Sequence, residues 1–411
     1  PYIDMRKQHF GVALLQTIRG NFEGFTKRQI EKARLACIAQ AKLGHPSDAK
    51  FKQMVSSKSV RNLDTKVNEI TNAHTIYGPN RPILRGKKTR VKNARVEPDN
   101  IQIPRELYER NKFVTLAADV MFVNSIPFFV TFSRDIRMIT AEFLTEQGAA
   151  TLSSSLTKVV RMYARGGFTV KYVMMDGQFE CIKDDFDQVI VNTTAAREHV
   201  TEIERQIRVI KERDRCVLAE LRDVGYEYYP KMFVIHCIYF CVMMLNGAIA
   251  DNGISDKYSP RKIEVGLEID FKKDCKTQFG VYVEADCDDI VTNTPRSRTH
   301  PCICLGPAGN LQGSTKCFDL VTGKVVTRRT VTELPWMGRL LKLANKWDKS
   351  FRGIKHKANH EELNHHQQKF KLDDESLFDD YTEPKVTHLD IPAEISRAQQ
   401  MAKECMSYDA C

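Results

Sequence analysis

The sequence predicts an α/β protein: a mixed sheet with flanking helices, preceded by a small helical module and followed by a small β-rich domain. Three β-rich runs, a helical segment and a fourth β-rich run follow one another between residues 112 and 176. Residues 202–222 then repeat apolar side chains at helical spacing, and short β-like runs return after Pro260. Because 411 residues exceed what one hydrophobic core usually organises, we expect more than one folded unit.

The helical module is predicted for residues 1–80. Residues 26–42 place apolar side chains on one side of a helix, with Thr26 suited to cap its N-terminus. Pro46 disfavours continuation of that helix, so a turn is expected there.

A basic linker is predicted for residues 81–104. Seven of the fifteen residues from 81 to 95 are Lys or Arg, and Pro82 and Gly86 discourage regular structure. The stretch is either a solvated tether or a contact for phosphate groups. The side chains available for such contacts are Arg85, Lys87, Lys88, Arg90 and Lys92.

The central sheet is predicted within residues 105–265. The runs KFVTLAADVMFV, IPFFVTFS and RMITAEFL are separated by short polar breaks, which is typical of adjacent antiparallel strands. A helix over 149–165 ends at Gly166-Gly167, and FTVKYVMMD then forms a strand. That strand is parallel to the first if the helix is a crossover connection.

The most apolar stretch, residues 232–250, allows two interpretations. Its length and composition approach those of a membrane span. However, His236, Asn246 and Gly247 interrupt it. We therefore predict a helix buried inside a globular domain and no association with a membrane.

After the central sheet we predict a small β-rich domain over 266–340 and a flexible polar extension over 341–411. The runs FGVYVEA, CICLG, KCFDL and KVVTRRTV support the first prediction. In the extension, HEELNHH contains clustered His and Glu, but His360 and His365 lack the i, i+4 spacing of a zinc-protease helix. A solvated polar run is the simpler interpretation.

Charge and cysteine content indicate the partner and the compartment. Lys and Arg number 62 against 52 Asp and Glu, and the resulting net charge of +10 favours a polyanion such as nucleic acid. The 12 cysteines are irregularly spaced, with only Cys37 before Cys181, which predicts a reducing, intracellular setting.

Three acidic residues are candidates for chemistry. Asp119 lies inside the first predicted strand, Asp176 ends the fourth, and Glu204 begins the long helix. Three carboxylates at one sheet edge would suit a hard divalent cation, Mg²⁺ or Mn²⁺, and two-metal phosphoryl transfer needs such a set. Alternatively, Asp119 pairs locally and Glu204 forms a helix salt bridge with Arg208 at i+4. The residues alone leave both interpretations open.

A basic surface is predicted on the helix that starts near Glu204. Its cationic residues could lie along a phosphate backbone without reading sequence, or could simply be solvated. The candidates for DNA contact are Arg205, Arg208, Lys211 and Arg215.

Four stretches of the sequence together resemble one protein family. They are ADVMFVNSIPFFVTFSR, YVMMDGQFE, EIERQIRVIKERDR and YSPRKIEVG. These stretches resemble the integrase region of copia-type LTR retrotransposon polyproteins. The family's first catalytic aspartate precedes a strand that ends in Ser-Arg, which matches Asp119. Its second precedes a Gly-amide-Phe pattern, which matches Asp176, and its glutamate is followed by Arg, which matches Glu204.

The resemblance implies a ribonuclease-H-like catalytic domain that joins 3' ends of element cDNA to target DNA with the help of Mg²⁺ or Mn²⁺. It also implies a homo-multimer that acts in the nucleus after assembly in a cytoplasmic particle. Two further hypotheses remain: an inactive remnant that only binds nucleic acid, and a nuclease of the same fold.

The sequence departs from the family at two places. Only 27 residues separate Asp176 from Glu204, fewer than is usual, so Glu202 and Glu212 are rivals for the third position. The family's N-terminal module also binds zinc through two His and two Cys. Here Gln40 stands where the first His is expected, and no Cys occurs between Cys37 and Cys181. We therefore predict no zinc site, and we expect the module to fold by helix packing alone.

Overall fold

The computed structural model describes residues 16–87, 103–186, 189–193, 201–226, 228–287, 296–338, 340–341, 344 and 354–355. These residues belong to one compact unit within Pro1–His356. The predicted polar extension and its HEELNHH segment lie almost wholly outside the described residues.

The N-terminal module packs its helices through small residues. The buried Ala33 and Ala36 of the first helix let the third helix approach closely, and Phe51, Ile70 and Ile76 complete a small core. Thr26 caps the first helix as predicted, because its hydroxyl accepts from the Gln29 N–H while the Gln29 side chain accepts from the Thr26 N–H. The helices are α1 (Lys27–Lys42), α2 (Asp48–Ser56), α3 (Val67–Tyr77) and α4 (Arg81–Lys87).

The prediction of irregular structure is wrong for the start of the basic stretch. Residues Arg81–Lys87 form α4. Pro82 lies in the first turn, where its missing N–H costs nothing, and the side chain of Asn80 accepts a hydrogen bond from the Ile83 N–H. Residues 88–102, which contain Lys88, Arg90 and Lys92, lie outside the described part of the chain.

The central sheet has the predicted mixed topology. Its strand order is β3-β2-β1-β4-β5, with β1–β2–β3 antiparallel and β4 and β5 parallel to β1. A crossover helix connects β3 to β4, so the arrangement is ribonuclease-H-like, as expected. The elements are α5 (Arg105–Arg110), β1 (Phe113–Val123), β2 (Ile126–Ser133), β3 (Ile139–Phe143), α6 (Ala149–Arg165), β4 (Thr169–Met175) and β5 (Ile190–Thr193).

Helices cover both faces of this sheet. On one face, Leu152, Leu156 and Val159 of α6 pack against inward-pointing residues of β1 and β4. On the other face lie α7 (Thr201–Asp223) and, after the two-residue strand β6 (Tyr228–Tyr229), α8 (Lys231–Asn246). The apolar stretch thus forms a buried helix, as predicted. Among the described residues, no helix is long and apolar enough to cross a membrane.

A second sheet follows two short helices, and it curls on itself. Its order is β10-β9-β8-β7-β11, yet β10 and β11, at opposite edges, are only two residues apart in sequence, so the edges must approach each other. The elements are α9 (Pro260–Val265), α10 (Phe271–Asp274), β7 (Tyr282–Asp286), β8 (Thr299–Pro307), β9 (Thr315–Asp319), β10 (Val325–Arg328), β11 (Val331–Glu333) and β12 (Ile354–Lys355), which pairs with β6.

Helix α8 joins the two sheets into one hydrophobic core. It contacts β3 of the central sheet and β8 of the second sheet. One cluster of buried side chains includes Phe128 and Val130 from the first sheet and Cys302 and Ile303 from the second. The predicted domain limits remain a prediction, but they do not separate two independent cores.

Candidate active site at the end of the parallel strands

Asp119 and Asp176 occupy equivalent positions on neighbouring parallel strands. The last pair of the β1–β4 ladder is Ala117 with Met174, and the same register continued by two residues sets Asp119 opposite Asp176. Asp176 directly follows β4, where the chain turns into a 3₁₀ helix. If the register continues in this way, the two carboxylates lie at the same edge of the sheet, where β4 ends.

Both aspartates belong to the sheet face that α7 covers. Side chains alternate along a strand, and Ala117 and Met121, on either side of Asp119, are buried in the core shared with α7 and α8. Met174, two residues before Asp176, packs against the same core. The register and the alternation therefore direct two half-buried carboxylates toward the side on which α7 lies.

Asp119 also has a local hydrogen bond. Its Oδ1 accepts from the Val120 N–H at 2.7 Å. Val120 lies beyond the last β1–β4 ladder pair, so the carboxylate supplies an acceptor where the ladder has stopped. This bond matches the local-pairing interpretation for Asp119.

Glu204 lies in the first turn of α7 and is exposed. Its rival Glu202 is engaged elsewhere, because its Oε2 accepts from Arg134 Nε at 2.8 Å in a half-exposed ion pair. Arg134 directly follows β2, so this pair ties the start of α7 to the end of β2. Glu212 is exposed two turns further along the helix.

The three acidic residues do not form a complete metal site. Among the residues that the structure describes, no group of three or more His, Cys, Asp or Glu side chains is close enough to hold a metal ion. Asp119 and Asp176 have the oxygen donors and the register that a hard cation needs. The described residues therefore do not show the three carboxylates gathered around one metal position, and their assignment as metal ligands stays a prediction.

The cationic side chains predicted on α7 lie at the surface of the protein. Arg205, Arg208 and Arg215 are exposed, and Lys211 is half-buried. Arg208, Lys211 and Arg215 follow Glu204 at spacings of four, three and four residues, so the three cations form one stripe about 10 Å long. The opposite side of α7 is buried through Ile203, Ile210, Leu218 and Leu221.

The structure describes two of the residues predicted to contact DNA in the basic stretch, Arg85 and Lys87. Arg85 lies 3.5 Å from Glu284, a fully buried carboxylate of β7 that also binds Arg81 Nε at 2.6 Å. Its charge is thus partly compensated inside the protein, and its contact with phosphate stays a prediction. Lys87 is exposed and donates to the His45 carbonyl oxygen.

A polar network surrounds Gln40 in the N-terminal module. Gln40 is buried, and its Nε2 donates to the Pro46 carbonyl and to Asp48 Oδ1, both at 2.8 Å. Its Oε1 accepts from Asn80 Nδ2 at 2.8 Å, and Asp48 Oδ2 lies 2.9 Å from His74 Nδ1. His74 is thus a partly exposed histidine at the edge of this network. Sequence reasoning missed this network, and its one signal was a glutamine on the apolar side of α1.

No known protein-family description matches the chain, and no curated protein matches it. Among solved structures, the catalytic core domain of BIV integrase is 14% identical, with a TM-score of 0.28; the match covers 37% of this chain and 93% of that chain. The HTLV-2 integrase catalytic core domain in complex with magnesium (trimeric form) is 10% identical, with a TM-score of 0.29, over 38% of this chain and 96% of that chain. The residues of the site are therefore the evidence on function.

Proposed function

We propose that this protein is an integrase of the copia retrotransposon type, a polynucleotidyl transferase that joins cDNA 3' ends to phosphodiesters of target DNA. One observation carries the proposal. Asp119 on β1 and Asp176 directly after β4 fall in one register when the parallel ladder is continued by two residues, on the sheet face that α7 covers, and Glu204 lies in the first turn of α7.

The proposed roles follow from what each residue offers. Asp119 and Asp176 supply oxygen ligands for Mg²⁺ or Mn²⁺, and Glu204 is the proposed third ligand, brought in by a movement of the first turn of α7. The bound cations would activate the attacking hydroxyl and stabilise the leaving oxygen.

DNA is the proposed partner along α7. The stripe of Arg208, Lys211 and Arg215 begins one turn after Glu204, so a phosphate backbone bound there would run toward the aspartates. Contacts of this type give affinity without sequence preference. A homo-multimer is proposed because two cDNA ends must be joined to one target.

A remnant that binds nucleic acid without catalysis is the second candidate. Two observations favour it: no three-ligand group is formed among the described residues, and the Glu202–Arg134 pair holds the start of α7 at the end of β2. A nuclease of the same fold would use the same aspartates with water as the nucleophile.

Strand-transfer assays separate these candidates. The full chain is incubated with Mg²⁺, a blunt donor duplex and a plasmid. Joined products support the integrase, nicking alone supports the nuclease, and binding without products supports the remnant. Asp119→Asn should abolish the products while DNA affinity stays equal or rises, because one negative charge is lost.

The control variant is Asp251→Asn, the same change at an exposed residue far from Asp119 in sequence. It should retain full activity. Strand transfer that survives Asp119→Asn, or that is lost equally in both variants, would contradict the proposed role of Asp119.

A further inference from the structure

A cavity of about 230 Å³ lies between α8, α9, the end of β8 and β9. Tyr239, Phe240 and Met243 of α8 form much of its wall, and Arg261 and Lys316 bring positive charge to it. None of the elements around it carries Asp119, Asp176 or Glu204, and no Asp or Glu lines it.

The two cations of this cavity have no carboxylate at ion-pair distance among the described residues. Arg261 Nε is buried and has no hydrogen-bond partner within the described residues. Neither Arg261 nor Lys316 forms an ion pair with any residue that the structure describes. A buried donor without an acceptor is costly, so a ligand that supplies acceptors would be stabilised there.

The titratable groups near Arg261 and Lys316 compensate their positive charge only in part. Burial, and then the charge of Lys316, lowers the pKa of His236 to about 4, so the imidazole is neutral near pH 7. Burial raises the pKa of Glu264 to about 7, and its Oε2 has no partner among the described residues. Asp274 and Glu264 act on Arg261 through space without a hydrogen bond to it.

Glycines shape the rim of the cavity. A Cβ on Gly306 would lie 2.8 Å from the Phe240 ring, so only glycine lets the end of β8 approach α8 this closely. A Cβ on Gly309 would lie 3.5 Å from Arg261 Nη2, which places the guanidinium beside the loop that follows β8. The cavity therefore offers a guanidinium and an ammonium group beside an aromatic and thioether wall.

We propose that this cavity binds a phosphate group carried by a small organic molecule or by a nucleic-acid end. Guanidinium and ammonium groups are the usual protein ligands of phosphate. The cavity is smaller than sites for drug-sized ligands, which are roughly 300–1,000 Å³, so it suits one phosphate with a short attachment. The Phe240 and Met243 side chains would contact the organic part. This site does not depend on the proposed integrase activity.

Titration calorimetry on the full chain at physiological salt tests the proposal with four probes. They are inorganic phosphate, dAMP, and a short single-stranded oligonucleotide with or without a 5' phosphate. Saturable binding of phosphate and dAMP indicates a free small-molecule ligand, whereas binding of the 5'-phosphorylated oligonucleotide alone indicates a nucleic-acid end. Either outcome supports the site.

Arg261→Met and Lys316→Met should each weaken the binding at least tenfold. Lys324→Met removes the same charge from an exposed residue of the same sheet and should leave the affinity unchanged. If Arg261→Met lowers the melting temperature, Lys316→Met alone carries the test. Absence of saturable binding by every probe, or equal weakening by Lys324→Met, would overturn the proposal.

Discussion

The N-terminal module and the central sheet each contain a group of polar residues, and the two groups differ. In the module, Gln40 has three hydrogen bonds of 2.8 Å to neighbours that complement it. At the sheet, Asp119 and Asp176 fall in one register when the β1–β4 ladder is continued, but the described residues contain no group of three acidic side chains that could hold a metal ion.

The two groups differ because the side chains of the first attract one another, whereas those of the second repel one another. An amide offers donors and an acceptor, so Gln40, Asp48 and Asn80 attract one another and satisfy their own buried groups. Carboxylates repel one another, so a third one gains nothing by joining two unless a cation is present. A buried polar cluster can thus be satisfied by side chains that attract one another, whereas a cluster of carboxylates depends on a cation.

The largest effect is expected at the third acidic position. Glu204→Gln should lower strand transfer at least 1,000-fold, about 4 kcal/mol in the barrier. Glu202→Gln is the matched control and should change the rate less than about fivefold, because that residue pairs with Arg134. The strand-transfer rates of the two variants decide which glutamate is the third acidic residue. A larger loss in Glu202→Gln would assign that role to Glu202.

A second, smaller effect is expected for the buried hydrogen-bond network around Glu284. Glu284 is fully buried and accepts from Arg81, Tyr282 and Thr299. Glu284→Ala leaves Arg81 without its partner, so the free energy of unfolding should fall by about 3 kcal/mol. Urea denaturation measures this loss. Glu109→Ala, which breaks the exposed pair with Arg105, should cost less than about 1 kcal/mol.

The Glu284 network also predicts a pH dependence. Its hydrogen bonds and the two arginines hold the pKa of Glu284 below its usual value despite burial. A depressed folded-state pKa contributes stability above the unfolded pKa of 4.5, and this contribution is lost as the pH falls through the folded pKa. The wild type should therefore lose more stability than Glu284→Ala on acidification.

A further effect is expected at Asp214, a buried carboxylate whose hydrogen bonding is incomplete. Its Oδ1 has no partner among the described residues, and burial raises its pKa to about 6. Because the folded state then binds the proton more tightly, stability should fall as the pH rises from 4 through 6, by up to about 3 kcal/mol. Asp214→Asn should flatten this part of the stability profile, and an unchanged slope would contradict the assignment.

The smallest of the four effects is expected in the module. Gln40→Ala removes the centre of the network and leaves the Asn80 and Asp48 side chains with fewer partners, at a cost of about 2 kcal/mol. Gln29→Ala, which removes only the exposed capping contact of α1, should cost about half as much. Urea denaturation of both variants, with and without a chelator, measures this, and a chelator should leave both values unchanged.

Local patterns were sufficient to predict most of the fold. The apolar runs predicted the antiparallel strands β1–β3, and Gly166-Gly167 correctly predicted the end of α6 before the parallel strand β4. Thr26 predicted the start of α1 because capping depends only on residues within one turn. These features are encoded by neighbours in sequence.

Contacts between distant residues could not be predicted in this way. Glu284 reads as a polar residue of a β-run, yet it binds Arg81, 203 residues away, and it compensates the charge of Arg85. The cavity beside Arg261 is formed by two helices and two strands, each ordinary in sequence. Nothing in the local pattern distinguishes a lysine that faces such a cavity from one that faces solvent.

The sequence by itself determined most of the helices and strands, and it identified one aspartate in the strand β1 and one at the end of β4. Periodicity and capping act within a few residues, and the register follows once β1 and β4 are neighbours. The tertiary structure decided which charges are compensated, namely Arg85 by Glu284 and Glu202 by Arg134. Charge compensation depends on distance in space, and packing alone sets that distance.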